Sequence, residues 1–179
     1  MKLFRFVGFQ AYRSLYYKDR GLGKKYPGRL IGASLIDEWE KAEVEVRFKG
    51  ELGHVEPDIM DFGGLTGVVL TSKAREILED LILPFGELLP LEMGSSLVYL
   101  INPTMVLDCV DEDKSEMEIV SPLNRKKITK YVFKEIEYPP IFRLKNELLN
   151  YIVNEEFVKR LKENNLEGYK IRELWDSNS

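Results

Sequence analysis

From Glu43 to Lys49 the chain reads Glu-Val-Glu-Val-Arg-Phe-Lys, charged and apolar in strict alternation. A period of two puts Val44, Val46 and Phe48 on one face of an extended strand and the charges on the other, whereas a helix would scatter both kinds round its surface. Such a strand needs neighbours for its backbone N–H and C=O groups and a core for its apolar face. The chain is therefore expected to build a sheet. Further runs rich in aromatic and β-branched residues fit the same plan: Leu3 to Phe9, Leu97 to Ile101, Met117 to Val120, Tyr131 to Tyr138, Ile141 to Leu144, Tyr151 to Val153 and Tyr169 to Trp175.

Two segments switch to the helical period. Ala74, Ile77, Leu78, Leu81 and Ile82 fall on one stripe, with Thr71 and Ser72 as capping hydroxyls before it and Pro84 as a stop after it. Asn154 precedes a second helix whose first turn carries Glu155 and Glu156, favourable at the positive end of the dipole, and whose apolar face is Phe157, Val158 and Leu161. Gly168 follows it, and the tail from Asp176 to Ser179 is expected to fray. The fold class expected is α+β, a mostly antiparallel sheet with a few helices packed on it.

Glycine and proline punctuate the first third. Gly21 to Gly28 reads as an irregular loop, with Tyr12, Tyr16 and Tyr17 docking it on the body. Gly50 to Gly67 holds five of the thirteen glycines and Pro57, which marks a connecting region. The chain divides there into residues 1–56, basic and aromatic, and residues 57–179, with the two expected to form one compact unit. At 179 residues, 44% hydrophobic and 31% charged, it can bury roughly 70% of its unfolded surface, far from the composition of disorder.

One cysteine, Cys109, cannot form an internal disulfide, the first residues lack a cleavable leader pattern, and no apolar run nears the roughly 20 residues of a membrane span. A cytoplasmic protein without membrane contact is expected. The charge is uneven, with eight basic residues and one acidic before Asp37, but 18 basic and 29 acidic from there on.

The inventory of chemistry is short. The only histidine, His54, lies in the glycine-rich connection, and no Gly-x-Ser-x-Gly elbow accompanies it. Gly21-x-Gly23-Lys24 lacks the lead and the hydroxyl of a phosphate loop. Apolar and acidic neighbours make Cys109 a buried structural thiol. No catalytic residue, metal or cofactor is expected. The densest charge lies between Asp108 and Glu118, where six carboxylates face Lys114 alone. They read as a solvated turn between strands or as a surface for a basic partner, with Asp111, Glu112, Asp113 and Glu116 foremost. Arg13, Lys18, Arg20, Lys24, Lys25 and Arg29, set among tyrosines, offer a nucleic-acid surface as the alternative, disfavoured because the chain as a whole is acidic. The other reading of these cations is pairing with the acidic body over the tyrosines.

An ordered set of short pieces extends from Pro57 to Glu173. They are Pro57-Asp58, Val69 to Glu79, Leu88-Leu89-Pro90-Leu91, Tyr99-Leu100-Ile101-Asn102, Val106 to Asp111 with Lys114-Ser115, Pro140 to Leu144, Val153 to Phe157, and Leu166-Glu167-Gly168. In this order the segment resembles a large family of immunity proteins encoded beside bacterial polymorphic toxins, the weapons of contact-dependent competition. The resemblance implies a cytoplasmic toxin inhibitor that works by stoichiometric protein–protein binding to its cognate toxin domain, and not an enzyme. The pieces look like scaffold, with Phe142 and Leu144 as strand core, Ser72 as cap and Gly168 as turn. The first 56 residues and the exposed loops are where partner choice is expected.

Overall fold

The computed structural model describes residues 1–19, 21–25, 30–63, 67–120 and 125–178. In chain order the elements are β1 (Lys2–Gly8), β2 (Arg13–Tyr17), α1 (Leu22–Lys25), a 3-10 turn (Ile36–Glu38), β3 (Ala42–Lys49), β4 (Ile59–Phe62), β5 (Gly67–Thr71), α2 (Ser72–Ile82), β6 (Gly86–Met93) and β7 (Ser96–Pro103). There follow β8 (Val106–Leu107), β9 (Glu116–Val120), β10 (Arg125–Lys130), β11 (Ile141–Leu144), β12 (Glu147–Asn154), α3 (Glu155–Glu163) and β13 (Tyr169–Asp176).

Strands dominate, and they form more than one sheet. β2-β3-β6-β7-β5-β4 close into a barrel, β13-β1-β12-β11-β8 form a separate five-stranded sheet, and β9 and β10 pair as a hairpin. The pairing is mixed, which corrects the expectation of one mostly antiparallel sheet: β2–β4, β3–β6 and β8–β11 run parallel. Because β2 and β3 come from the first 56 residues, the early chain supplies a third of the barrel wall.

Alternation fills the barrel. Leu15, Tyr17, Val44, Met60, Phe62, Val69, Leu89, Leu91 and Leu100 point inward. Val44 is buried and Val46 half-buried, as the alternating run requires, but Phe48 is 52% exposed. The pairing of β2 with β3 steps from Ser14–Phe48 to Leu15–Val46, so Arg47 is an extra residue that turns Phe48 away from the core.

A second core lies between the barrel, the helices and one face of the five-stranded sheet, where Phe6, Ile141, Tyr151 and Val153 meet Ala74, Leu78, Leu81, Phe157 and Leu161. The sheet's other face, with Leu3, Phe142, Leu144 and Ile152, covers a third core of Cys109, Val110, Tyr131, Phe133 and Tyr138. Thr71 caps α2 by accepting from the Ala74 N–H at 3.4 Å, while Ser72 begins the helix and its hydroxyl donates to the Leu97 carbonyl at 3.4 Å. Asn154 caps α3, accepting from the Phe157 N–H at 3.1 Å. The two helices are tied by Arg160, which grips Asp80 with both terminal nitrogens at 2.9 and 3.1 Å.

Several sequence expectations change. Leu22–Lys25 is a helical turn and not irregular loop, while Tyr26, Pro27 and Gly28 lie outside the described residues. The connecting region contains β4, whose four residues are all buried. β6 and β10 carry no alternation signal: β6 has Pro90 mid-strand, tolerated because β3 pairs with β6 only from Leu91 onward. Tyr131 to Tyr138 makes a single bridge, Val110 with Phe133, instead of a strand. Aromatic packing holds it, with Tyr131 stacked on Phe133 at 5.7 Å and Tyr138 on Phe142 at 5.6 Å. Asp176 belongs to β13, and the Ser177 N–H bonds the Met1 carbonyl at 3.0 Å, so order continues past Trp175.

Candidate functional site

The acidic segment runs from Asp108 through the Val110 bridge and a turn into β9. The Asp111 N–H bonds the Val132 carbonyl at 2.8 Å, and the Ser115 hydroxyl donates to the Asp111 carbonyl at 2.7 Å, which locks the turn. Three of its six carboxylates meet lysines brought from elsewhere by the fold, and a fourth meets the lysine of its own turn. Asp108 pairs with Lys145 at 2.7 Å, Asp111 with Lys114 at 3.0 Å, Glu116 with Lys130 at 3.4 Å and Glu118 with Lys127 at 3.4 Å. Glu112 accepts from the Asn146 amide at 2.7 Å, and Asp113 is exposed. Hydrogen bonding to Lys145 and Lys114 holds the Asp108 and Asp111 carboxyls below the usual carboxylate range. The segment is thus a ribbon of paired charges, with Glu112 and Asp113 pointing outward. Exposed pairs of this kind contribute little to stability.

The basic head is paired too. Arg13 donates to the Gly53 carbonyl at 3.2 Å and meets Glu56 at 3.4 Å, Lys18 meets Glu43 at 2.7 Å and Lys25 meets Glu40 at 2.6 Å. Tyr17 is buried against Phe62 with ring centres 4.9 Å apart, and Arg47 lies 5.7 Å from the Tyr16 ring. Arg20 and Arg29, and the side chain of Lys24, lie outside the described residues. The three described members of the set thus each meet a carboxylate.

His54 is exposed in a turn. Cys109 is 1% exposed, and burial pushes its thiol up to about 11, opposite to what thiolate chemistry requires. Among the described residues no group of three or more His, Cys, Asp or Glu side chains comes together, and no helix is long and apolar enough to cross a membrane.

The pieces singled out in the sequence meet in space at two junctions. In the first, fully buried Arg143 donates to the Pro103 carbonyl at 2.8 Å and to the Leu148 carbonyl, reaches the Asn102 side-chain oxygen at 3.5 Å and lies 4.6 Å from the Tyr151 ring. Asn102 passes the chain of bonds on, donating to the Ala33 carbonyl and to Glu87, both at 2.9 Å. Burial alone would raise the Glu87 carboxyl, but hydrogen bonds from Ser34, the Leu35 N–H, Asn102 and the Ile36 N–H outweigh it and hold the group below its usual range. The network joins the five-stranded sheet to the barrel and to residues 33–36. In the second junction Asp58 pairs with Lys73 at 3.0 Å and accepts from the Glu167 N–H at 3.1 Å, while the Ile59 N–H bonds the Glu167 carbonyl at 2.9 Å. Gly168 follows with φ +96°, and a Cβ there would stand 1.9 Å from the Ile59 carbonyl oxygen. Glu87 and Arg143 were not singled out for a role by sequence, because a buried polar link shows in the chain only as two polar letters 56 positions apart.

Residues 92–176, running from the end of β6 to the end of β13, match the model of the immunity protein family Imm11. That stretch contains both Asn102 and Arg143, and the acidic turn. No curated protein matches the chain.

Proposed function

We propose that this chain is an immunity protein that acts in the cytoplasm and neutralises a cognate toxin domain by stoichiometric binding. The observation that carries the reading is the match of residues 92–176 to an immunity family. The geometry supports binding over chemistry: a rigid double scaffold, with its conspicuous polar groups tied up in internal links, presents a charged turn at its surface. In this reading residues 57–179 supply the scaffold and residues 1–56 help set partner choice.

Asp111, Glu112, Asp113 and Glu116 are the first contact proposed for a basic toxin surface. Glu112 and Asp113 face outward, and the half-neutralised Asp111 and Glu116 flank them. Rim charges of this kind govern encounter rate and reject wrong partners more than they set final affinity. The test is charge reversal at all four positions, with association to the toxin domain encoded by the adjacent gene followed by surface plasmon resonance across a salt series. Association at low salt is expected to slow at least about tenfold and to lose most of its salt dependence. Unchanged association would remove this turn from the interface.

A further inference from the structure

Where the chain passes from the barrel strand β7 to β8, which pairs with β11 in the five-stranded sheet, an open groove of about 750 Å³ crosses the surface. Phe85, Met105, Leu107, Ile136, Pro139 and Pro140 wall it, and Glu137 and Glu156 stand among its lining. Ile136 is 44% exposed and Met105 37%, so two large apolar side chains are left to water in one concave place. The prolines add wall without backbone N–H donors, which leaves water there few partners.

The groove is held open by bonds to the scaffold. The Met105 N–H donates to the Phe85 carbonyl at 3.0 Å, the Met105 carbonyl accepts from the Arg143 N–H at 2.9 Å, and the Asn154 amide and N–H reach the Tyr138 and Pro140 carbonyls at 3.2 Å each. A preformed cavity spares a ligand the ordering cost of making it. The charge at its edge differs in kind from that of the acidic turn. There lysines answer Asp108, Asp111, Glu116 and Glu118. Among the described residues neither Glu137 nor Glu156 makes an ion pair or a side-chain hydrogen bond, while Met1, which also lines the groove, turns its ammonium to Glu155 at 3.8 Å, so both carboxylates are open to a partner's cations beside the apolar wall. Leu107 leads directly into Asp108, the first carboxylate of the acidic segment.

We infer that this groove is the anchor site for the protein partner, receiving an apolar side chain of the toxin that is flanked by lysine or arginine. The inference rests on the immunity reading and gives it a place: the apolar anchor supplies residence, and Glu137 and Glu156 complement the flanking cations.

Two variants separate these contributions. The paired substitution Met105→Ser with Ile136→Ser changes only exposed side chains and is checked for an unaltered melting temperature. The paired substitution Glu137→Gln with Glu156→Gln removes charge without changing shape. Both are measured against the toxin domain encoded by the adjacent gene. The serine pair is expected to dissociate at least about tenfold faster, and the glutamine pair to associate several-fold more slowly with a weaker salt dependence. If the native chain binds the toxin domain and both variants bind within about twofold of it, the groove is not the anchor although the immunity reading stands. If the native chain does not bind, both fall. Sedimentation of the native chain alone gives a further check. A dimer that the serine pair abolishes would assign the groove to a second copy and overturn the proposal.

Discussion

Asp61 shows how far a single position can depart from its surroundings. It interrupts the buried run Ile59-Met60-Asp61-Phe62 on β4, is 7% exposed, and leaves its Oδ2 without a hydrogen-bond partner among the described residues. Burial raises its carboxyl above the ordinary range, against the opposing hydrogen bonds of Ser14 and Gln10. The sign follows from proton linkage. A carboxyl raised on folding binds more protons folded than unfolded, so its ionisation removes stability as pH climbs from the unfolded value toward the folded one. Asp61→Asn is therefore expected to stabilise the fold at pH 7, by on the order of 1 kcal/mol. The gain should shrink as the pH falls to and below the ordinary carboxylate value of 3.8. Thermal melts of both proteins across that range measure it, and a variant destabilised at neutral pH would contradict it. Glu87 behaves oppositely, since its hydrogen-bond donors win over burial and its contribution is lost as pH falls. Nothing in sequence separates these two carboxylates. Their difference lies wholly in what the fold places around them.

Elements were legible where local chemistry alone decides them. The alternation of β3, the stripe and stop of α2, and the Asn154 cap with the apolar face of α3 are all signals contained within about a dozen residues. β4, β6 and β10 escaped because their extended state is imposed by neighbours: β4 is buried on both faces, β6 carries a proline, and four of the six residues of β10 are basic. The strand expected over residues 131–138 failed for the converse reason. Its aromatic residues pack on Phe142 and Trp175, so burial is satisfied without a ladder. Asn154 is the element-scale test, since its oxygen caps α3 and its amide holds the Tyr138 carbonyl at the groove. Asn154→Ala is expected to cost about 1–2 kcal/mol in urea denaturation. A loss below a few tenths would show that the cap carries little.

At the scale of the molecule, the pieces that looked like scattered scaffold in the sequence converge on the Arg143–Asn102–Glu87 network and the Asp58–Gly168 junction, which weld barrel, sheet and helices together. Of the candidate site, the sequence disclosed where charge is dense but not which charges are answered. Lysines 127, 130 and 145 reach the acidic segment only after β10 and the turn after β11 are in place. The groove was hidden likewise, because its walls come from residues as distant as Phe85 and Pro140. The proposed mechanism is that this charged scaffold disarms a partner by occupancy alone. Titrating the proposed cognate toxin domain with this chain, while following residual toxin activity and the heat of binding together, tests that directly. Activity is expected to fall linearly to zero at one chain per toxin domain, with full recovery when the complex is separated. Loss of activity at far less than one equivalent, or toxin that stays inactive after separation, would contradict inhibition by binding.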